Sequence, residues 1–178
     1  VVSIDVAPEE QSSAATPDSN LPLTVVFETD KVLIFDKPAG QPSAPLEPGE
    51  IGTLANALVA RYPECATIGF SLREPGLCHR LDTETSGLVM AARTKVAFDV
   101  LTKAIKEERI DKRYLLVCEA RDLPESGTIE IPLAPHPKDR RRVLPCVHPR
   151  DVERYEPRPA HTTYKKISER DGYALVEA

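Results

Sequence analysis

His79-Arg80-Leu81-Asp82-Thr83-Glu84-Thr85-Ser86-Gly87-Leu88-Val89-Met90-Ala91-Ala92-Arg93 is the stretch on which the reading of the fold turns. Its first half is a polar cluster of His, Arg, Asp and Thr; its second half, GLVMAAR, reads as a buried strand. The junction is a loop presenting one carboxylate, Asp82, beside one guanidinium, Arg80, at the edge of a sheet. Taken on residue types alone, the preferred reading of Asp82 is a helix-cap or turn residue satisfied by backbone N–H groups, with Arg80 an ordinary ion-pair partner.

Working outward towards the N-terminus, residues 64–78 are irregular. Thr53 caps a short helix in which Leu54, Ala57, Leu58 and Arg61 share a face, and Pro63 ends it. Residues 41–52 form a loop, and LTVVFETD and KVLIFDKPAG form two short β-runs around Thr29-Asp30. Towards the C-terminus, Thr94 caps a helix whose apolar stripe is Ala97, Val100, Leu101, Ala104 and Ile105, with Lys103, Lys106, Glu107 and Glu108 turned to water. The strand KRYLLVCEA follows, then a turn at PESG and the strand TIEIPL. Residues 135–158, rich in Pro and Arg, read as irregular. HTTYKKIS and GYALVEA form a hairpin around Arg170-Asp171-Gly172. Local hairpins outnumber helices, so the expected class is α+β, a mixed, mainly antiparallel sheet flanked by helices and loops.

The chain has 178 residues, enough for one domain with a real core, and 41% hydrophobic with 29% charged residues is ordinary for a globular protein. No apolar run approaches the roughly 20 residues of a membrane helix, and no secretory signal opens the chain, so the expected setting is the cytoplasm with no membrane partner. The first residue is Val1, so the natural start is expected to be missing. Residues 1–20, rich in Ser, Ala, Pro and acid and without aromatics, are expected to be a disordered acidic tail, and residues 21–178 the folded domain. Cys65, Cys78, Cys118 and Cys146 are widely spaced and read as reduced thiols. Cys146 and His148 with His136 lack zinc-ligand spacing, so no metal is expected.

The net charge of -5 argues against nucleic acid only superficially. Residues 1–20 hold Asp5, Glu9, Glu10 and Asp18 and no base, leaving 24 acidic and 23 basic residues in the body. Residues 138–170 carry ten Lys or Arg against five Asp or Glu, and such a segment can meet phosphates.

DKPAG, HRLDTETSGLVMAARTKVAFDVLTKAI, KRYLLVCEA, HPKDRRR and PAHTTYKKI occur in this order and resemble the RluA-type RNA pseudouridine synthases from about Val25 to Ala178. Several motifs in order are far more specific than one. The resemblance implies the catalytic core of that family and isomerisation of uridine in ribosomal or transfer RNA. It needs no redox cofactor or metal, since nothing is oxidised and nothing leaves. Asp82 is then the catalytic carboxylate. Arg80 and His79 are then the substrate-binding pair: Arg80 fills the stack vacated by a flipped base or holds a flanking phosphate, and His79 shapes the same loop, with a satisfied structural histidine the equal alternative. Tyr114 is the second catalytic residue, its ring stacking on the uracil and its hydroxyl approaching the proton to be removed. It lies on the strand side shared with Leu116 and opposite Leu115 and Val117, and a core tyrosine is the alternative. Lys37 and Pro38 support the loop bearing Asp82. Lys138, Arg140, Arg141 and Arg142 form an RNA clamp.

Two departures from the family pattern bear on activity. Nothing before Leu21 could form the small N-terminal RNA-binding domain common in the family. The chain also stops at Ala178, before a T-G-R-x-H-Q-I-R-like segment that supplies a cation for the catalytic Asp, so a truncated chain is expected. A carboxylate in a dry pocket without its cation is disfavoured in its charged form, and a missing strand leaves an open sheet edge. The alternative function is a non-catalytic RNA-binding protein on the same scaffold; a small-molecule binding domain is the third reading.

Overall fold

Alternation and turn chemistry build the first sheet. The computed structural model describes residues 14–139 and 142–178, and the chain divides into two units, Val1–Ile110 and Asp111–Ala178. In the first, β1 (Thr24–Glu28) and β2 (Val32–Lys37) form an antiparallel hairpin, and β3 (Gly87–Ala92) pairs antiparallel with β2 on its other side. Thr29 closes the hairpin: its amide donates to Val32 O at 2.9 Å, and its Oγ1 accepts from Val32 N at 2.9 Å. The register sets Leu33 opposite Ala91 and Phe35 opposite Val89, and all four are fully buried on one face.

That face is covered by α1 (Leu54–Arg61). The Thr53 cap is a reciprocal box: its Oγ1 accepts from Asn56 N and its amide donates to Asn56 Oδ1 at 3.0 Å. Where the sequence indicates a one-faced helix, Leu54 to Val59 are buried all round. Part of the cover comes from residues the sequence assigns to the tail. Ala15 lies in the core, its amide donating to Leu72 O at 2.9 Å. Asp18 N donates to Asn56 O at 3.1 Å, and Asn56 Nδ2 donates to Thr16 O at 2.7 Å. Small Ala and a few backbone bonds suffice to dock residues 14–18; residues 1–13 lie outside the described residues.

On the opposite face, Met90 and Ala92 pack with α2 (Lys95–Lys106), whose cap Thr94 accepts from Ala97 N. Phe98 and Ala104 are buried there, with Ala97, Leu101 and Ile105 partly so. The expected stripe is shifted: Val100 is 58% exposed. Phe98, absent from that stripe, anchors the contact because the helix turns its largest apolar side chain to the sheet, which moves Val100 to the margin.

The second unit holds a four-stranded antiparallel sheet of β4 (Leu115–Glu119), β9 (Tyr173–Glu177), β8 (Thr162–Arg170) and β5 (Ser126–Ile129), in that spatial order. Asp171 and Gly172 both have positive φ, 54° and 82°, as the tight β8–β9 turn requires. β9 is interior, and the edges of this sheet are β4 and β5. Ala120, Ala174 and Val176 form a small core with Cys118, Leu123 and Tyr164. TIEIPL is two strands, not one: β5 ends at Ile129, and β6 (Leu133–Pro135) pairs with β7 (Val143–Pro145) in a separate ribbon. The supposedly irregular 135–158 therefore contains β7, and also α3 (Pro149–Tyr155), capped by His148 with Pro149 at its first position. Proline there is a helix starter rather than a breaker.

Among the described residues, one charged group lies in the core of the first unit. Lys37, at the end of β2, is fully buried, and its Nζ donates to Pro38 O at 3.0 Å, Gln41 O at 2.7 Å and Thr83 O at 3.2 Å. The ammonium's three donors thus meet three carbonyls. Burial lowers the Lys37 pKa below its usual 10.5, against the opposing pull of Glu84 and Asp82.

Two predictions follow from this packing. Phe98→Ala lowers unfolding free energy by about 3–5 kcal/mol, whereas Val100→Ala stays within about 0.5 kcal/mol; urea titration of both variants checks it, and equal losses would contradict the assigned face. Lys37→Met leaves three carbonyls without their donor and destabilises by about 2–4 kcal/mol. Because the folded-state pKa of Lys37 is depressed, the unfolded chain holds more protons just below pH 10.5, so stability contributed by Lys37 rises with pH there. Urea titrations at pH 7 and 10 should show the wild type gaining on the Met variant; a loss would reverse the assignment.

Candidate active site

The loop bearing Asp82 is anchored residue by residue. Before it, Gly76 and Cys78 run alongside β3: Ala92 N donates to Gly76 O at 2.8 Å, and Cys78 N to Met90 O at 2.9 Å. Gly76 has φ +67°, and a Cβ there would lie 3.0 Å from Ala92 O and 3.1 Å from Cys65 Cβ, so no larger residue fits without displacement. His79 continues the pairing by side chain, its Nε2 accepting from Met90 N at 3.1 Å. Leu81 is held by Ser43, whose Oγ accepts from Leu81 N at 3.1 Å and donates to Leu81 O at 2.6 Å. Thr83 O receives Gly40 N at 2.8 Å as well as Lys37 Nζ. Thr85 N closes a turn on Asp82 O at 3.0 Å. Asp82 is therefore flanked on both sides by fixed backbone.

Asp82 is exposed, where the sequence reading considered a dry pocket: its neighbours are held through their backbones, and among the described residues of this unit the carboxylate stays open to solvent. Arg80 pairs with Glu74 at 2.9 Å and is 61% exposed. The Glu74 side chain is only 17% exposed, so the pair is half-shielded, with the Arg80 guanidinium on its solvent side. His79 is tied to the backbone of β3 through Met90 N. A groove of about 700 Å³ beside α2, lined by Phe70, Cys78, Ile105, Lys103 and Lys106 among others, includes none of residues 79–87.

Tyr114 belongs to the second unit. Its amide donates to Ala178 O at 2.8 Å and its carbonyl accepts from Ala178 N at 3.0 Å, extending the β4–β9 pairing. Tyr114 and Leu116 are each 40% exposed, against 67% for Leu115 and 68% for Val117, the alternation expected of this strand. Lys138 and Arg142 sit on the β6–β7 connection, where His136 N donates to Arg142 O at 3.0 Å; Arg140 and Arg141 lie outside the described residues. The Cys65 and Cys78 thiols are each pushed up to about 12, chiefly by burial, which removes them as nucleophiles at neutral pH. Among the described residues, no group of three or more His, Cys, Asp or Glu could hold a metal ion, and no helix is long and apolar enough to cross a membrane.

Sequence reading missed Ser43 and Gly40. Ser43 lies in Gln41-Pro42-Ser43-Ala44-Pro45, where a serine is unremarkable, and its partner is 38 residues away. Gly40 carried a weak signal, since its φ of +84° is one that glycine readily adopts.

The sequence family described as RNA pseudouridylate synthase matches residues 31–178. A "Ribosomal large subunit pseudouridine synthase D" of Xanthomonas campestris is 38% identical over 139 residues, 78% of this chain and 40% of the relative. An "Uncharacterized RNA pseudouridine synthase" of Chloroflexus aurantiacus is 41% identical over 142 residues, 80% of this chain and 42% of the relative. The solved structure of "Human RNA Pseudouridylate Synthase Domain Containing 1" shares the fold, with a TM-score of 0.63 at 23% identity, over 90% of this chain and 60% of that one. The chain thus spans about two fifths of the length of these two curated relatives. With the family's motifs, its fold and most of the chain in agreement, the protein belongs to the RluA-type RNA pseudouridylate synthase family.

Proposed function

We propose that this chain carries the Asp82-bearing part of an enzyme that isomerises uridine to pseudouridine within RNA. The observation that supports this most is the exposed carboxylate of Asp82, set between two residues whose carbonyls are tied to residues 37–43. A group fixed before substrate arrives spends little free energy on reorganisation in the transition state. The reaction breaks the N1–C1′ bond, turns the base and joins C5 to C1′. The proton on C5 is lost and N1 gains one, so composition is unchanged and no redox cofactor or metal is required. Asp82 attacks, or electrostatically holds, the electron-poor carbon.

Uridine in folded RNA reaches such a carboxylate only when flipped out. Arg80 then leaves Glu74 to fill the vacated stack or bind a flanking phosphate. Tyr114 stacks on the uracil. Lys138, Arg140, Arg141 and Arg142 hold the RNA backbone through salt-sensitive contacts. Large-subunit ribosomal RNA is the favoured substrate because several similar relatives carry that name; transfer RNA is the other pool to test. Four free cysteines suit a reducing cytoplasm.

The test is tritium release from ribosomal and transfer RNA labelled at uridine C5, using the natural full-length protein and its Asp82→Asn variant. Release should fall at least about a thousandfold in the variant. No release by the wild type from either pool would instead favour a non-catalytic RNA-binding protein.

A further inference from the structure

Residues 37–43 hold the loop of Asp82 through three groups: the Lys37 ammonium, the Gly40 amide and the Ser43 hydroxyl. Ser43 is 5% exposed. Its hydroxyl both donates to Leu81 O at 2.6 Å and accepts from Leu81 N at 3.1 Å. A hydroxyl is the smallest side-chain group able to do both at once. Leu81 N belongs to the peptide joining Arg80 to Leu81, and Leu81 O to the peptide joining Leu81 to Asp82. The two bonds therefore set the planes of both peptides leading to the carboxylate. Ser43 is itself fixed from behind. Its carbonyl accepts from Ala55 N at 3.0 Å, and the carbonyl of Pro42 accepts from Leu54 N at 2.9 Å, both in the first turn of α1. A rigid line thus runs from the start of α1 through Ser43 to the peptide bearing Asp82.

Resting on the reading of Asp82 as catalytic, we infer that Ser43 is a positioning residue for the Asp82 carboxylate and a determinant of turnover. It touches no reacting atom. Its effect is angular, because freeing the Leu81–Asp82 peptide lets the carboxylate swing, and displacements of about 1 Å at a reacting group can cost a hundredfold in rate. Within residues 37–43, Lys37 and Gly40 fix the carbonyl of Thr83 after Asp82, whereas the two peptides before Asp82 are bonded by Ser43.

The test uses the full-length protein and C5-tritiated ribosomal RNA. Ser43→Ala should lower kcat at least about tenfold, equivalent to ~1.4 kcal/mol of barrier, with KM within about twofold. Ser43→Thr, which keeps the hydroxyl, should recover most of the loss. Tyr62→Phe is the control for destabilisation, since it removes the Tyr62 hydroxyl bond to Glu28 and shares no partner with the loop. If Ser43→Ala does not fold, Ser43→Cys keeps the size, weakens both bonds, and should show the same fall in kcat. Wild-type kcat in the Ala or Cys variant would overturn the inference. So would a fall no larger than that of Tyr62→Phe at matched thermal midpoint, or a Thr variant as slow as Ala. Asp82→Asn in the same assay separates the two claims: if it is inactive while Ser43→Ala is normal, only the role of Ser43 fails; if it remains active, the reading of Asp82 itself fails.

Discussion

The role proposed for Asp82 depends on how one short segment, residues 37–43, holds the loop around it. The carbonyl of Thr83 takes two donors from that segment, the ammonium of Lys37 and the amide of Gly40, and the hydroxyl of Ser43 satisfies both backbone groups of Leu81. A buried lysine is costly unless its charge finds partners. Here the cost is met locally by three carbonyls, so the charge that would destabilise the core also ties β2 to the loop. The segment is in turn bonded to the first turn of α1, whose leading amides would otherwise lack acceptors. One set of hydrogen bonds thus completes the helix start, satisfies the lysine and orients the carboxylate.

The surrounding core makes this arrangement stiff. Leu33, Phe35, Val89 and Ala91 pack beneath α1 with no exposed surface. Gly76 brings the approach to the loop within van der Waals range of Cys65 and Ala92, closer than any side chain would permit. Arg93 braces the far end of β3, joining Glu28 at 3.3 Å and Glu64 at 2.7 Å while its guanidinium lies over the Tyr62 ring. The carboxylate is exposed, but the backbone on which it rides is not free to drift.

What could be read in the sequence was what is local. The β1–β2 hairpin, the Thr53 and Thr94 caps, the strand after Gly87 and the turn at Asp171-Gly172 each announce themselves within a few residues, and the structure contains them all. Contacts between distant positions were not legible. Nothing in Ala15 says that it enters a core, and nothing in Ser43 says that it meets Leu81. Phe98 displaced Val100 because facing surfaces, not periodicity alone, choose the buried side of a helix. The prolines near 145–149 misled because the same residue ends one element and starts another. In the proposed site, Asp82, Arg80 and His79 were found as a contiguous motif, and the support of the loop by Lys37 was anticipated. Tyr114 and the basic residues at 138–142 belong to the second unit, and their roles rest on the family resemblance.

The central claim is that the Asp82 loop is already assembled in the protein before any RNA binds. Amide hydrogen exchange at Leu81 and Gly40 in RNA-free protein tests it most directly, because those N–H groups donate to Ser43 Oγ and Thr83 O. Both amides should exchange orders of magnitude more slowly than an unstructured peptide, with protection approaching that of β3. Exchange at the unstructured rate, slowed only when RNA is added, would show that substrate builds the loop, and would contradict the account.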